Sequence, residues 1–565
     1  MSKVLSKFVQ SYTIYALIFL LYVAVFIFTG FFFHIYINHW SLVAAFASYS
    51  AIGVVYLSVR HADKEKLLLF LAGVIVTPLI FWGLATVFGN TYDTSYDGQD
   101  YHQSAVIELS NGWNPIYEKS LPIKLTNRID KPLDSGYGKI IWSIDSSIYK
   151  LTHNIDSATV INLIIGLLSF SFFYRALKSL GLDTYPSIIT TFLTVVTTLY
   201  VEQVFTFRED ALSYEFVIIG IASLVLLLKN SSKLPYFLCL LTTFVFLAGT
   251  KDSNLFIFLP LLVMSAYMVI ERKWYRLNSF KLTVGLGLII GFITLFSPYI
   301  TNIIRYHAID YPYNQASFSD PVMNVNVPLN LSKDGRLKLF FYGVFSSAEI
   351  GNEQDPASNN AHLKAPFTFT ANELVTEASA PAKYVGGYGV LFSGIFILSI
   401  ASYLYLALRR KSKTEKMIFA WLSVVLGLII ISCLSSPVPN YARYGSQLDL
   451  FPISIAVALL LIAGKKWKLE RIFGVLIIVL LSVNITLDIL TASLLNVQEF
   501  NSINAQLSSL KNSNETYLVH ANIFYSNYIQ IESHGVKSVI SQEPIKCNRM
   551  IILADSADST ELCKL

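Results

Sequence analysis

The densest group of chemically reactive side chains in this sequence lies in the stretch 90–150. Asp93, Asp97 and Asp100 fall within eight positions, and His102 follows two residues later. Carboxylates and an imidazole in this arrangement can take a proton from a hydroxyl group or coordinate a divalent cation such as Mg²⁺ or Mn²⁺. The spacing matches no EF-hand, zinc motif, P-loop or nucleophile elbow, so the composition indicates base or cation chemistry without choosing between them.

Aromatic residues accompany these acids. Trp113 and Tyr117 could stack on a sugar ring, or they could anchor a loop helix at the lipid headgroups, where such residues are expected anyway. A polar loop this long is usually functional or disordered. We interpret the stretch 90–150 as an active-site loop.

Three shorter connections place further ionisable groups beside apolar segments. Such groups are costly at membrane depth unless they are paired or lie in a wet cavity, so a ring of them at one membrane face predicts a shared site. Each could instead cap a helix end in water. The three connections carry Glu202 with Arg208-Glu209-Asp210, Lys251-Asp252 and Tyr441-Ala442-Arg443-Tyr444.

The elements that must position these residues are membrane helices. Of 565 residues, 54% are hydrophobic and only 14% are charged, and the mean hydropathy is +0.54. Most of such a chain lies outside water, and we predict an all-α polytopic membrane protein with about thirteen transmembrane helices. The predicted spans are 12–34, 40–59, 67–89, 158–177, 185–204, 211–228, 234–249, 254–270, 281–300, 386–408, 416–434, 448–464 and 471–492.

Lys and Arg in alternate short connections predict the orientation. The connections that carry them, together with the N-terminus, are expected in the cytoplasm, and the long loops 90–155 and 301–385 outside with the tail. The first span is too long for a removed signal peptide. The net charge of +5 comes without a basic cluster interleaved with stacking aromatics, so no nucleic-acid partner is expected. The basic connections are 60–66, 175–178, 229–233, 271–276, 409–416 and 465–471.

The tail after the last predicted span differs from the membrane body. Ser502–Leu510 could form a short helix, and Thr516–His520 and Met550–Ala554 have the pattern of short strands. We predict a small α/β appendage. Cys547 and Cys563 could pair if the tail is extracytoplasmic.

Several single residues have an ordinary structural alternative. Asp97 precedes Gly98 and could serve only as an Asx-turn residue. His102 could orient substrate, ligate metal or hydrogen-bond a helix end. Lys251 could extend to the interface, and Arg443 could be an interfacial anchor. Three acids of the second large loop are interpreted as solvated surface: Glu349, Glu353 and Asp355.

Acids and cations at one membrane edge together favour one chemistry. A carboxylate at the boundary, partly desolvated, is suited to deprotonate an acceptor hydroxyl beside a phosphate leaving group. Lys251 and Arg443 on neighbouring loops could hold that phosphate. The residues therefore predict transfer of a group from a lipid phosphate.

At this point the sequence resembles a known family. It is similar to the GT-C membrane glycosyltransferases, in particular to the bacterial branch of protein mannosyltransferases and the aminoarabinose transferase of lipid A. The order of the long first loop and the acidic second loop also fits that family. The resemblance is carried by Tyr96-Asp97-Gly-Gln-Asp-Tyr101-His102, Gly112-Trp-Asn-Pro115, Tyr137-Gly-Lys139, Arg208-Glu209-Asp210, Gly386-Gly-Tyr-Gly389 and Arg443-Tyr444.

The resemblance implies a reaction. A sugar passes from a polyprenyl phosphate or diphosphate to an extracytoplasmic glycan, lipid or protein, with inversion expected. An acidic residue of the first loop is the base, which here corresponds to Asp97, and Glu209 or Asp210 is the second acidic group. Lys251 and Arg443 correspond to the phosphate contacts. The implied location is a bacterial inner membrane, with the site facing the periplasm or exterior.

Further residues complete the predicted site. Asp100 joins Asp97, Glu209 and Asp210 as a catalytic candidate, and any divalent cation is expected on Asp97, Glu209 and Asp210. Gly138 stands where the family has proline, and two helices precede the shared core. The residues expected to contact substrate are Asp93, Tyr101, His102, Trp113, Lys139, Arg208, Lys251, Arg443 and Tyr444.

We divide the chain into five regions on this basis. They are two N-terminal helices at 1–66, a GT-C-like core at 67–300 with its first outer loop 90–155, a large outer loop at 301–385, C-terminal membrane helices at 386–492 and the tail at 493–565.

Two other functions remain open. A secondary transporter or lipid-linked-sugar flippase would place ionisable groups near the membrane centre, where Glu215 and Asp488 are candidates. A polysaccharide polymerase or ligase of the O-antigen type would use a large late loop, which 301–385 permits. The charges at helix ends argue against the first, and the early acidic loop argues against the second.

Overall fold

The computed structural model describes most of the chain. Asp252, Glu353 and Asp355 lie outside the described residues, as do parts of the basic connections at 60–63 and 465–467. The described residues are 3–59, 64–119, 136–251, 254–312, 314, 326–350, 360–379, 383–436, 438–464, 468–522, 524–547, 549–554 and 560–565.

The described chain is predominantly helical, as predicted. Nine of its helices are long and apolar enough to cross a membrane, or ten if one bent pair counts as a single span. The helices of the membrane body are α1 (Lys3–Phe32), α2 (Ser41–Val59), α3 (Lys64–Phe88), α4 (Gln103–Ser110), α5 (Ile140–Thr152), α6 (Val160–Leu180), α7 (Thr184–Val195), α8 (Thr198–Gln203), α9 (Asp210–Lys229), α10 (Leu234–Thr250), α11 (Leu255–Glu271), α12 (Asn278–Thr294), α13 (Thr301–Tyr306), α14 (Arg336–Phe345), α15 (Ala371–Ala378), α16 (Phe392–Arg409), α17 (Lys413–Ser435), α18 (Leu450–Ala463) and α19 (Leu469–Asn512).

Four predicted spans have a different form in the structure. The segment 185–204 is divided into α7 and α8, and α10 and α11 are apolar helices of 17 residues each. The segment 281–300 is bent by 63° after α12, where Pro298 has no N–H to continue the helix. The count of thirteen spans stays a prediction, and the multi-pass architecture is observed.

The centre of the membrane body is α9. It packs against α6 and α10, and most of its side chains are enclosed. A helix that is apolar on every side belongs inside a bundle. Its first residue, Asp210, therefore enters the interior of the protein at one membrane face.

We call the membrane face at which α9 begins with Asp210 the loop face, and short elements cover it. A π-helical turn, Gly98–His102, precedes α4, and two short strands, β1 (Glu349–Ile350) and β2 (Lys383–Val385), pair antiparallel. The other short helices are 3₁₀ turns at Asp156–Thr159, Leu329–Leu331, Ala442–Tyr444 and Ser446–Asp449, and a π-helical turn at Phe296–Ile300. A further 3₁₀ turn, Trp274–Arg276, lies between α11 and α12 at the opposite helix ends.

The last helix, α19, connects the membrane body to the tail. It has 44 residues and is therefore about 66 Å long, twice what a bilayer core needs. The predicted helix Ser502–Leu510 is its final part. The tail has a four-stranded sheet of order β4-β3-β6-β5 and a disulfide between Cys547 and Cys563. Its elements are β3 (Thr516–His520), α20 (Tyr525–Ser533), β4 (Lys537–Ile540), β5 (Ile551–Ile552) and β6 (Glu561–Lys564).

Candidate active site

Four charged side chains from distant segments meet on the loop face. Arg443 donates through Nε to Asp210 Oδ2 and through Nη1 to Asp97 Oδ2. Lys251 Nζ donates to Asp210 Oδ1 at 2.5 Å, and its ammonium lies 5.0 Å from the ring centroid of Tyr444. We call Asp97, Asp210, Lys251 and Arg443 the charge cluster.

Element ends bring these four residues together. Asp210 begins α9, where the helix dipole favours a negative charge, and Lys251 directly follows the last residue of α10. Arg443 lies in the 3₁₀ turn before α18, and Asp97 precedes the π-helical turn. Each side chain is thus held by a helix end, which supports a fixed geometry.

Exposure separates the carboxylates. The side chain of Asp97 is 25% exposed, whereas that of Asp210 is 4% exposed and Glu209 is 1% exposed. Lys251 and Arg443 are buried, so neither extends into the headgroups as an anchor. Asp97 is the carboxylate of the cluster that a hydroxyl group from outside can reach.

The electrostatics keep Asp97 ionised. Burial opposes its charge, but the neighbouring guanidinium groups of Arg443 and Arg208 outweigh that effect and hold the pKa of Asp97 well below its usual range. Burial lowers the pKa of Lys251, which Asp210 partly opposes. The charge cluster itself thus pairs two carboxylates, Asp97 and Asp210, with two cations, Lys251 and Arg443.

His102 is a neutral hydrogen-bond donor in this arrangement. The indole of Trp142 donates to His102 Nδ1 at 2.9 Å, and because an indole N–H can only donate, the proton of the imidazole lies on Nε2. Burial lowers the pKa of His102 to about 3, although Asp97 opposes the shift. His102 Nε2 is buried without a hydrogen-bond partner in the described part of the protein. Its N–H is suited to a substrate oxygen, not to proton abstraction.

Glu209 differs from its neighbour Asp210. Both of its carboxyl oxygens are buried without a hydrogen-bond partner among the described residues. Burial and the nearby Asp145 raise the pKa of Glu209 well above its usual range. The charged form of Glu209 is therefore less favourable than that of Asp210.

Asp93 performs the turn role considered for Asp97. Its carboxylate accepts from the N–H and Oγ of Ser95 at 2.8 and 2.6 Å and from the N–H of Phe207 at 2.7 Å. These bonds tie the first loop to the segment before α9. Asp97, in contrast, makes no side-chain capping bond to the π-helical turn.

The first loop buries most of its other predicted site residues. Lys139 donates to the carbonyl of Tyr137 at 2.7 Å, and its ammonium lies 5.4 Å from the ring of Trp113. Trp113 is fully buried, so its ring faces protein, and Tyr117 stacks on a histidine at 4.3 Å. Asp100 and Tyr101 are also buried; Tyr101 lies 4.2 Å from His102 between ring centroids.

The three carboxylates predicted to bind a cation, Asp97, Glu209 and Asp210, do not surround a common site for one. Asp97 and Asp210 both point to Arg443, and Glu209 has no bond to either. Among the described residues, no group of three or more His, Cys, Asp or Glu side chains could hold a metal ion. The residues therefore do not fit a Mg²⁺ or Mn²⁺ site.

An apolar cavity of about 600 Å³ lies between helices of the membrane body. Side chains of α6, α9, α11, α17 and α18 line it, almost all of them hydrophobic. Lys229 and Arg272 lie at one end, and Ser432 and Gln447 at the other. Gln447 lies in the 3₁₀ turn before α18, four residues after Arg443, and none of the four charge-cluster residues lines the cavity.

The structure adds Trp142 and Lys383, which sequence reasoning did not select, and gives a partner to Glu202, which it placed among the charged residues at the membrane edge. Trp142 sets the tautomer of His102, and a second ion pair joins Lys383 on β2 to Glu202 on α8 at 2.5 Å. Lys383 stands next to the Gly386-Gly-Tyr-Gly389 turn, which is the one signal that could have pointed to it. Its partner is far away in sequence, and no local pattern connects the two.

The fold and the site define a multi-pass membrane protein with a charged site at one face and an apolar cavity between its helices. Comparison with models of protein families, with curated proteins and with solved structures finds no match to this chain. The function is therefore inferred from the geometry of these residues.

Proposed function

We propose that the chain is a GT-C-type membrane glycosyltransferase that moves a sugar from a polyprenyl phosphate or diphosphate to a hydroxyl group on a glycan, lipid or protein. The observation that carries the proposal is that the charge cluster lies on the loop face, toward which the Ser432 and Gln447 end of the apolar cavity is directed. A ligand with an anionic head and a long apolar tail fits both. The loop face is then extracytoplasmic, as the basic connections at the other helix ends and the disulfide of the tail suggest.

The cations hold the leaving phosphate in this proposal. Ion pairs with Asp210 hold Arg443 and Lys251 in place. Their remaining N–H groups can then donate to phosphate oxygens without a large rearrangement. The N–H of His102 Nε2 is a further donor. As the bond from the sugar C1 to the phosphate oxygen breaks, the electron pair goes to that oxygen and these donors stabilise it.

Asp97 acts as the general base. The acceptor oxygen forms its bond to the sugar C1 from the side opposite the phosphate, and its proton passes to the carboxylate of Asp97. The neighbouring guanidinium groups hold the pKa of Asp97 low, which keeps the carboxylate ionised but makes it a weaker base than the desolvated carboxylate expected from the sequence. A single displacement of this kind inverts the configuration at C1.

The test is turnover of radiolabelled polyprenyl-phosphate sugars by purified protein in lipid nanodiscs. Asp97→Asn keeps the size of the side chain but cannot take a proton, so transfer should fall about 10²–10⁴-fold. The matched control is Asp334→Asn, a partly exposed acid of similar accessibility that pairs with the exposed Lys338 and should leave transfer unchanged.

Three results would contradict the proposal in different ways. Full activity of Asp97→Asn would remove the base assignment and leave Glu209 or Asp210 as candidates. Polymer elongation in place of single transfer would favour the polymerase or ligase. Movement of intact lipid-linked sugar without cleavage would favour a flippase.

A further inference from the structure

The tail contacts the active-site loop directly. Helix α20 packs against the π-helical turn and α4. Ser526 Oγ donates to the backbone carbonyl of Gln99 at 2.9 Å, and Asn527 Nδ2 donates to Gln99 Oε1 at 3.1 Å. All three residues are buried. A residue two positions from Asp97 is thus held by two side chains from the far end of the chain.

Gln99 transmits this contact into the loop. Its Nε2 donates to the backbone carbonyl of Asp93 at 2.9 Å, and Asp93 is bonded to Ser95 and Phe207. Gly98 packs so tightly on Asp93 that an added Cβ would lie 1.8 Å from its Oδ2. The two ends of the segment Asp93–Gln99 are therefore hydrogen-bonded to each other, and Asp97 belongs to that segment.

A second set of contacts fixes the start of the same segment. The hydroxyl of Tyr92 contacts Asn504 Oδ1 and His534 Nε2, each at 2.8 Å. The ring of Tyr96 meets that of Phe524 edge to face, with centroids 5.2 Å apart. The tail thus contacts residues on both sides of Asp97.

The backbone at this point is unusual. Gly98–His102 is a π-helical turn, which is rare and is often found at functional sites. It sets the directions of Asp97 at its start and His102 at its end. Asn527 also donates to Thr560 Oγ1 at 2.9 Å, so the contact to Gln99 is anchored in the folded tail.

We propose that the tail is a positioning domain, in which Ser526 and Asn527 of α20 hold the π-helical turn so that Asp97 faces Arg443 and the other members of the charge cluster. The effect on turnover rests on the proposed function; the effect on the loop does not. Arg443 and Lys251 lie on other elements and do not depend on this contact.

Two variants test the proposal in full-length protein: Asn527→Ala and Ser526→Ala. We expect kcat for transfer from a polyprenyl-phosphate sugar to fall about tenfold in Asn527→Ala, with dissociation constants for polyprenyl phosphate unchanged. In an Asp97→Asn background, Asn527→Ala should cause no further loss, because the residue it positions has already lost its function. Asn512→Ala, at an exposed site at the end of α19, is the matched control.

Hydrogen exchange measured by mass spectrometry gives a readout that needs no activity. Asn527→Ala should raise exchange in peptides covering residues 93–103 and leave the β3 and β6 peptides protected. If the wild type turns over no lipid donor, the proposed function fails and the exchange result still decides the positioning role. Unchanged exchange in the loop, equal losses of kcat and donor binding, or additive losses with Asp97→Asn would overturn the proposal.

Discussion

Two buried ion clusters lie side by side on the loop face. In the charge cluster, Arg443 joins two carboxylates, one of which, Asp97, is partly exposed. In the second, Lys383 pairs with Glu202 and both side chains are buried. A cavity of about 20 Å³ lies between them, lined by residues of both clusters, and is large enough for about one water.

The difference shows what makes one cluster a candidate site. Both are ion pairs between distant segments, and a buried ion pair alone says little about function. Of the two, the charge cluster is the one with a partly exposed carboxylate, since Asp97 is 25% exposed whereas Lys383 and Glu202 are both buried. The Glu202–Lys383 pair instead joins α8 to the strand that leads into α16, which is a structural role.

The largest predicted effect is on the charge cluster. Arg443→Ala leaves Asp97 and Asp210 without their shared partner, so kcat/KM for a polyprenyl-phosphate sugar should fall about 10²–10³-fold. Arg443→Lys should recover little, because an ammonium cannot replace the planar fork that serves two carboxylates. Steady-state kinetics in nanodiscs measures both, and Arg336→Ala on the same face is the control. Activity near wild type in Arg443→Ala would mean that the charge cluster, like the Glu202–Lys383 pair, has no direct role in turnover.

The second cluster should respond in stability and not in turnover. Lys383→Met leaves Glu202 buried without its partner and should destabilise the protein by about 3–5 kcal/mol. The double variant Glu202→Gln with Lys383→Met should be less destabilised than the single one. Thermal unfolding in detergent measures this, with Lys338→Met as an exposed control. A loss of kcat per folded molecule equal to that of Arg443→Ala would place the pair in the site.

A third prediction concerns the cavity. Val225 lines it from α9, and Val225→Trp should fill part of the space and raise the KM for a full-length polyprenyl donor about tenfold. A water-soluble short-chain donor should be unaffected, because its tail does not reach that depth. Val284→Trp, on an exposed surface of α12, is the control. Equal effects on both donors would argue that the tail binds elsewhere.

The smallest predicted effect is on acid stability. Burial lowers the pKa of His102 to about 3, whereas an unfolded histidine titrates near 6.5. The unfolded state therefore binds more protons between these values, so the stability present above about pH 6.5 is lost as the pH falls through that range. His102→Gln should remove this pH-dependent contribution to the free energy of unfolding. Between pH 7 and 5 the variant should therefore lose about 1–2 kcal/mol less stability than the wild type.

Comparing the melting temperatures of wild type and His102→Gln at both pH values tests this prediction. Parallel curves would mean that His102 titrates alike in the folded and unfolded states. In the wild type, the pH profile of transfer should also show no inflection from His102 between pH 5 and 8. An inflection that disappears in His102→Gln would show that the imidazole is charged in the working site.

Sequence reasoning selected the four residues of the charge cluster but not their pairing. Acids and cations at the ends of apolar segments are visible in composition, because charges at membrane boundaries stand out against hydrophobic runs. Which acid faces which cation depends on helix packing. The same limit explains why Trp113 was selected for sugar stacking although its ring is fully enclosed.

The membrane body was predictable for a simple reason. Apolar segments of about twenty residues have one stable form in a bilayer, so the multi-pass helical class follows from hydropathy. Broken and bent segments were less predictable. The division of 185–204 into α7 and α8, and the bend before Pro298, arise where side chains and packing end a helix that hydropathy alone would continue.

The sequence by itself determined the class of protein, the face that gathers charge and the strand Thr516–His520 of the tail, because these depend on local composition and periodicity. Only the tertiary structure decided that Arg443 bridges Asp97 and Asp210, that Trp142 sets the proton of His102, and that α20 holds Gln99. Those contacts join residues up to 428 positions apart. Their energies come from burial and hydrogen-bond geometry, which exist only once the helices have packed.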